Sequence, residues 1–176
     1  MADDNIKQEV TEWYDRYSDS IFSYIYVMVR DYQQAEDLTQ DTFLKAYKKH
    51  HLFEKRAEPK TWLFSVARNI TIDYMRKQKP INLLKELFYT TKDATPSPQD
   101  VMEIRESSQE LYRALDDIKP PYREVIILRK LKGFSTKETS DVLNWSESKV
   151  KSTLHRAIPA LEKQLTKEGF LNEKSI

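Results

Sequence analysis

Apolar residues recur at helical spacing through most of this chain, and no stretch alternates as a half-buried strand would. Val10, Trp13, Tyr14, Tyr17, Ile21, Tyr24, Ile25 and Met28 form one stripe. A second runs from about 34 to 48, with Ala35, Leu38, Thr42, Phe43, Ala46 and Tyr47 facing inward. A third opens at Pro59, a good first-turn residue because its missing N–H has no helical partner to lose. It places Leu63, Val66, Ala67, Ile70 and Tyr74 on one face. The pattern breaks at 78–106, where Pro80, Pro96 and Pro98 punctuate polar sequence and DATPSPQD reads as a tether. A short apolar patch, 81–88, interrupts it. A second helical block starts near Glu106, broken at Lys119-Pro120-Pro121 and at Lys132-Gly133-Phe134. The expected architecture is all-α: two small helical domains, 1–79 and 107–176, joined by a flexible linker at 80–106.

The second block contains a helix-turn-helix pattern. Ser135 followed by Glu138 is a capping box, which predicts a helix start. Val142 and Leu143 close that helix, and Asn144 sits where a left-handed turn residue is needed, a conformation Asn tolerates well. Ser146 can cap a following helix. On that helix Val150, Leu154, Ala157, Ile158 and Leu161 share a core-facing side, and Trp145 in the turn is expected to anchor it. Lys149, Ser152 and Arg156 collect opposite, flanked by Lys151 and His155. These side chains suit phosphates and the acceptors on base edges. A solvated helical hairpin has a charged outer face as well, so the pattern alone leaves both readings open. Pro159 removes the bond to the His155 carbonyl and is expected to kink or end the helix.

Composition narrows the classes. The chain has 176 residues, no cysteine and two glycines, Gly133 and Gly169. Disulfides, thiolate catalysis, cysteine zinc sites and Gly-rich phosphate loops are therefore excluded, and the chemistry suits a reducing cytoplasm. The polar, acidic N-terminus shows no signal peptide, and the longest apolar stretch, 21–29, is too short to span a bilayer. Net charge is only +1, but it is unevenly spread. Segment 1–59 has 8 basic and 12 acidic side chains, 60–79 has 5 basic and 1 acidic, and 93–124 has 4 basic and 8 acidic. A basic stretch between acidic ones is a local nucleic-acid footprint rather than a basic protein. His50-His51 is read as surface, and no carboxylate lies at metal-ligand spacing around the pair. No enzyme, metal or cofactor is expected.

Three segments in order, AEDLTQDTFLKAYKK at 35–49, PKTWLFSVARNITIDYMRKQ at 59–78 and the C-terminal hairpin, resemble a group IV (extracytoplasmic function, ECF) sigma factor of bacterial RNA polymerase. The stretch IKPPYREVIILRKLKGFSTKETSDVL at 118–143 extends the likeness. The resemblance implies a protein without chemistry of its own that directs core polymerase to promoters, with a sigma-2 domain at 1–79 and a sigma-4 domain at 107–176. It implies that Asp37, Gln40 and Asp41 contact a basic coiled coil on the largest polymerase subunit. It implies that Phe53, Lys55, Arg56, Lys60, Thr61, Arg68, Asn69 and Arg76 recognise and melt the −10 element. It implies that Lys149, Lys151, Ser152, His155 and Arg156 read the −35 element. Trp62, beside the apolar stripe, is read as core, and Asp73 as a partner of Lys77 at i,i+4. An anti-sigma protein, often membrane-anchored in this family, is an implied partner. From the residues alone, a free-standing helix-turn-helix regulator of duplex DNA is the competing reading, as is a helical adaptor using its acidic faces for protein contacts.

Overall fold

The computed structural model describes residues 1–88 and 106–167, the side chains of 80–88 and 106–108 excepted. Seven α-helices and no strand occur among the described residues. The chain divides into two compact units, Met1–Thr95 and Pro96–Ile176, which agrees with the all-α expectation.

In the first unit α1 (Ala2–Val29) packs on α2 (Tyr32–Lys48) and α3 (Pro59–Phe88), and α2 packs on α3. Arg30 ends α1 in the left-handed conformation, its N–H bonded to the Tyr26 carbonyl at 2.8 Å. Asp31 then caps α2, its carboxylate accepting from Gln34 N–H at 2.9 Å. This Arg-Asp pair turns the chain in two residues and sets α2 against α1. Ile21, Tyr24 and Ile25 of α1 meet Ala35 and Ala46 of α2 and Leu63, Phe64 and Ala67 of α3 in the core, all fully buried. Each large apolar side chain removed from water in this way contributes about 1.5–3 kcal/mol.

The stripes on α1 and α2 are close to expectation, but Tyr14 is 44% exposed and Tyr17 and Tyr47 are half-buried. On α3 the buried side is rotated. Val66, Ile70 and Tyr74 are half-buried, while Thr61, Phe64 and Thr71 are buried. Thr71 enters the core because its hydroxyl donates to the Ala67 carbonyl at 2.8 Å, leaving only its methyl to pack. α3 also runs past the expected end of the first domain at 79. Residues 80–88 are helical rather than tether, because a proline at 80 costs only the bond to the Arg76 carbonyl, at an exposed position where water can replace it. The remainder of the expected linker, 89–105, lies outside the described residues.

In the second unit α4 (Glu106–Asp116) is tied to α5 (Pro120–Ile126) by Arg123, whose guanidinium donates to the Leu115 and Asp116 carbonyls at 2.8 and 3.0 Å. These are carbonyls the end of α4 leaves without helical partners. A π turn, Ile127–Leu131, follows, with Lys132 N–H bonded to the Ile127 carbonyl at 2.8 Å. Gly133 takes φ 70° to leave it, a conformation glycine adopts without a Cβ penalty. α6 (Thr136–Leu143) and α7 (Glu147–Lys167) complete the unit. α7 packs on α4, α5 and α6. Pro159 does not end α7: the helix continues because Ala157 and Leu161 are buried on either side of it and hold both halves to the core.

Candidate nucleic-acid interface and docking face

The hairpin between α6 and α7 is built by the caps its sequence predicts. Ser135 Oγ accepts from Glu138 N–H at 3.0 Å, and the Glu138 carboxylate accepts from Ser135 N–H at 2.6 Å. Asn144 is left-handed (φ 55°, ψ 44°), and its N–H returns to the Ser140 carbonyl. Ser146 Oγ accepts from Lys149 N–H at 3.1 Å and starts α7. With Val150, Thr153, Ala157 and Leu161 buried, Lys149, Lys151, Ser152, His155 and Arg156 all stand exposed on the other side. Arg156 Nε donates to the Ser152 carbonyl at 3.2 Å, which leaves the rest of its guanidinium fork pointing outward. Trp145 is only half-buried and does more than anchor the turn: Lys149 Nζ lies 4.2 Å from its ring centroid, a cation–π contact that fixes the first cation of the face. Leu154 and Ile158, expected in the core, are half-buried. They line a hollow of about 460 Å³ rimmed by Arg129, Lys130, Lys151 and His155.

The second candidate surface comprises the segment before α3 and the outer side of α3. A 3₁₀ turn, His50–Leu52, is followed by a tight turn in which Ala57 N–H bonds the Glu54 carbonyl at 3.2 Å. Lys55 and Arg56 occupy its exposed tip. Phe53 is not a free stacking platform. It is half-buried, edge-on to Trp13 at 5.1 Å and 5.3 Å from Trp62. Trp62 is half-buried in the same cluster. Thr61 leaves the candidate set. It is only 5% exposed, since the rotated apolar side of α3 carries it inward. Asn69 and Arg76 are exposed, and Lys60 and Arg68 are half-buried. Asp73 pairs with Arg76 at 2.7 Å rather than with Lys77. An exposed i,i+3 pair of this kind contributes only a few tenths of a kcal/mol, so a phosphate can displace the carboxylate. His50, read from sequence as surface, has a side chain only 15% exposed, stacks on Trp13 and bonds Glu9 at 2.7 Å. Nothing in the spacing of His50 and Glu9 announces that contact, which needs α1 and α2 to be packed.

The third surface is the outside of α2. Asp37, Gln40 and Asp41 are exposed, with Asp37 accepting from Gln33 Nε2 at 3.1 Å. Thr39 and Thr42 lie behind them, their hydroxyls bonded to the Ala35 and Leu38 carbonyls at 2.6 and 2.7 Å, so the polar face ends sharply at a dry seam. Beside Gln40 lies a hollow of about 690 Å³ whose walls include Val10, Tyr14, Phe43 and Leu44, with Asp3 and Asp4 at its edge. Leu44 is 57% exposed there. Periodicity missed this apolar component because Leu44 falls on the polar side of the α2 stripe. Tyr47 closes one end, donating to Asp3 at 2.6 Å, and that carboxylate raises the phenol pKa above its ordinary value.

Residues 13–81 match the family profile described as Sigma-70 region 2, and residues 108–161 match Sigma-70, region 4. The chain is 37% identical over 168 residues to the ECF RNA polymerase sigma factor SigX of Bacillus subtilis, covering 92% of this chain and 87% of the relative. The chain belongs to the ECF sigma factors. SigM of the same organism is 36% identical over 169 residues, covering 93% of this chain and 99% of SigM. Among solved structures, the sigma factor RpoE of Bartonella quintana, in complex with the anti-sigma factor NepR, superposes with a TM-score of 0.73 at 25% identity. That match covers 90% of this chain and 98% of RpoE. As an ECF sigma factor the protein directs core RNA polymerase to specific promoters and initiates transcription there. Sigma factors as a family are not enzymes. Both family profiles and the near full-length likeness to named sigma factors disfavour the free-standing regulator.

Proposed function

We propose that this sigma factor divides promoter recognition between three surfaces. Asp37, Gln40 and Asp41 dock a basic coiled coil on the largest polymerase subunit. Lys55, Arg56, Lys60, Arg68, Asn69 and Arg76 engage the −10 element as it melts, the cations following the backbone and Asn69 offering hydrogen bonds to base edges. Phe53 serves that surface by packing rather than by touching a base. Lys149, Lys151, Ser152, His155 and Arg156 read the −35 duplex from the major groove. The observation that carries the reading is the doubly capped hairpin, whose second helix exposes all five of these side chains while its opposite side is buried. The chain works in the cytoplasm with the polymerase, and no helix among the described residues is long and apolar enough to cross a membrane. An anti-sigma protein controls it, a reading supported by the NepR complex of the related RpoE.

Transcription of a promoter library by variant holoenzymes tests the division. Arg can hold guanine with two bonds, and losing such a grip costs about 1–3 kcal/mol at that base pair. Arg156→Ala is therefore expected to relax preference at one or two positions of the −35 element. Lys149→Ala is expected to weaken binding across all sequences and to lower the salt slope by about one. If Arg156→Ala leaves the −35 preference intact while Asn69→Ala alters it, the two DNA surfaces are assigned the wrong way round.

The isolated chain is expected to bind duplex DNA weakly at physiological salt. Its net charge is +1, and affinity without sequence recognition comes mostly from phosphate neutralisation. The polymerase supplies the missing surface. Gel-shift titration of chain and holoenzyme on one promoter fragment measures the difference, and equally tight binding by both contradicts the expectation.

A further inference from the structure

The segment entering α3 has two unlike halves. The tip, Glu54–Glu58, is exposed throughout; inside it Ala57 N–H bonds the Glu54 carbonyl at 3.2 Å, and at its end the Glu58 carbonyl accepts from Trp62 N–H at 3.2 Å as α3 begins. The root is fastened to a different helix. His50 stacks on Trp13 of α1 with ring centroids 5.5 Å apart and planes 21° from parallel. Its Nε2 lies 2.7 Å from the Glu9 carboxylate, one turn earlier on α1. Phe53 N–H bonds the His50 carbonyl at 2.9 Å, and the Phe53 ring rests edge-on against Trp13 at 5.1 Å. Phe53 also meets Trp62 in the first turn of α3 at 5.3 Å. One imidazole therefore ties the start of the segment to α1, and one phenyl ring ties its middle to α1 and α3.

Packing of the rings alone does not require the Glu9 contact. A stacked ring can rotate in its plane, whereas a second bond from its edge fixes that rotation and with it the backbone that His50 carries. Two and three residues after the second anchor come Lys55 and Arg56, the cations of the tip. A pre-set approach direction matters most for a group that must meet a strand as it leaves the duplex, because a misplacement of about 1 Å can cost orders of magnitude in rate.

We infer that His50 and Glu9 are positioning residues for promoter melting: through Trp13 and Phe53 they hold the 54–58 turn so that Lys55 and Arg56 meet the unpaired strand in one orientation. This rests on the proposed role of that turn at the −10 element, and neither residue touches DNA.

The experiment uses holoenzyme assembled from the full chain and core polymerase. It reads −10 and −35 preference in one promoter library, permanganate reactivity of −10 thymines, and affinity for core. His50→Leu keeps bulk on Trp13 but removes the bond. It is expected to lose about tenfold in −10 preference and in thymine reactivity, with −35 preference and core affinity unchanged. His50→Gln, which restores a donor toward Glu9, is expected to recover most of the loss. Glu9→Gln, at a partly exposed site, should reproduce the defect in milder form and serves if His50→Leu folds poorly. Equal loss at both elements, loss of core affinity, or no rescue by glutamine would mean a merely structural contact and overturns the inference. The Lys55→Ala, Arg56→Ala double variant separates the two claims. If it leaves −10 preference unchanged, the turn does not serve the −10 element and the inference falls with that reading. If it alters −10 preference while the His50 and Glu9 variants do not, only the positioning role falls.

Discussion

Replacing Asp37 and Asp41 together by lysine is expected to weaken assembly with core polymerase by at least about a hundredfold, since opposing like charges at an interface cost several kcal/mol. Both carboxylates are exposed on the outer side of α2, four residues and about one turn apart, so they address the same partner surface. Neither has a structural duty that would unfold the helix when reversed. Asp37 accepts one exposed bond from Gln33, worth a few tenths of a kcal/mol, and the α2 cap is supplied by Asp31. Circular dichroism should therefore be unchanged. Titration of labelled core with wild-type and variant chains gives the affinities, and repeating it at higher salt should shrink the wild-type advantage as screening grows. Wild-type affinity in the double variant removes the α2 face as the docking site and leaves the apolar hollow around Tyr14 and Leu44 as the contact to examine.

The chain's legibility differs by the kind of signal. Caps were readable to the residue. Ser135, Glu138, Asn144 and Ser146 do what their side chains allow, because a cap depends on neighbours three or four positions away and on little else. Helical periodicity located α1, α2 and α3 but not the rotation of α3. Threonine is the reason: it reads as polar in a pattern, yet it can bond its hydroxyl to its own helix and bury its methyl, as Thr71 does. Thr61, which the resemblance places at the DNA, is buried. The prolines misled in the opposite sense. At 80 and at 159 the helix continues: one lost bond is tolerated where the freed carbonyl, on exposed Arg76 or His155, can reach water, and at 159 the buried Ala157 and Leu161 also hold both halves of α7 to the core.

Contacts between distant segments were not readable at all. Glu9 and His50 are 41 residues apart, and each looks like an ordinary surface residue until α1 is laid across the end of α2. The cation–π contact of Lys149 on Trp145 was closer to hand. The pair is four positions apart, yet Trp145 sits in the turn, where helical spacing rules do not apply. The recognised motifs thus locate the surfaces, while packing decides which of their side chains are presented.

Leu143→Ala is expected to destabilise the C-terminal unit by about 2–5 kcal/mol, whereas Leu154→Ala should cost about 1 kcal/mol. The helical pattern treats these two leucines alike, and the structure does not. Leu143 is 1% exposed, packed at the end of α6 where the chain turns into α7, so truncation leaves a closed void with no way to collapse. Leu154 is half-buried on the wall of the hollow beside Ile158 and Pro159, so truncation widens space that water already reaches, and only the transfer term is lost. Amide hydrogen exchange of the full chain resolves the effect by unit: protection in α6 and α7 should fall sharply in Leu143→Ala while α1–α3 stay protected. The same variant in holoenzyme is expected to lose −35 preference on warming before it loses core affinity, because the proposed docking residues, Asp37, Gln40 and Asp41, lie in the other unit. Equal destabilisation by the two substitutions would mean that the hollow is closed in solution and that Leu154 belongs to the core after all.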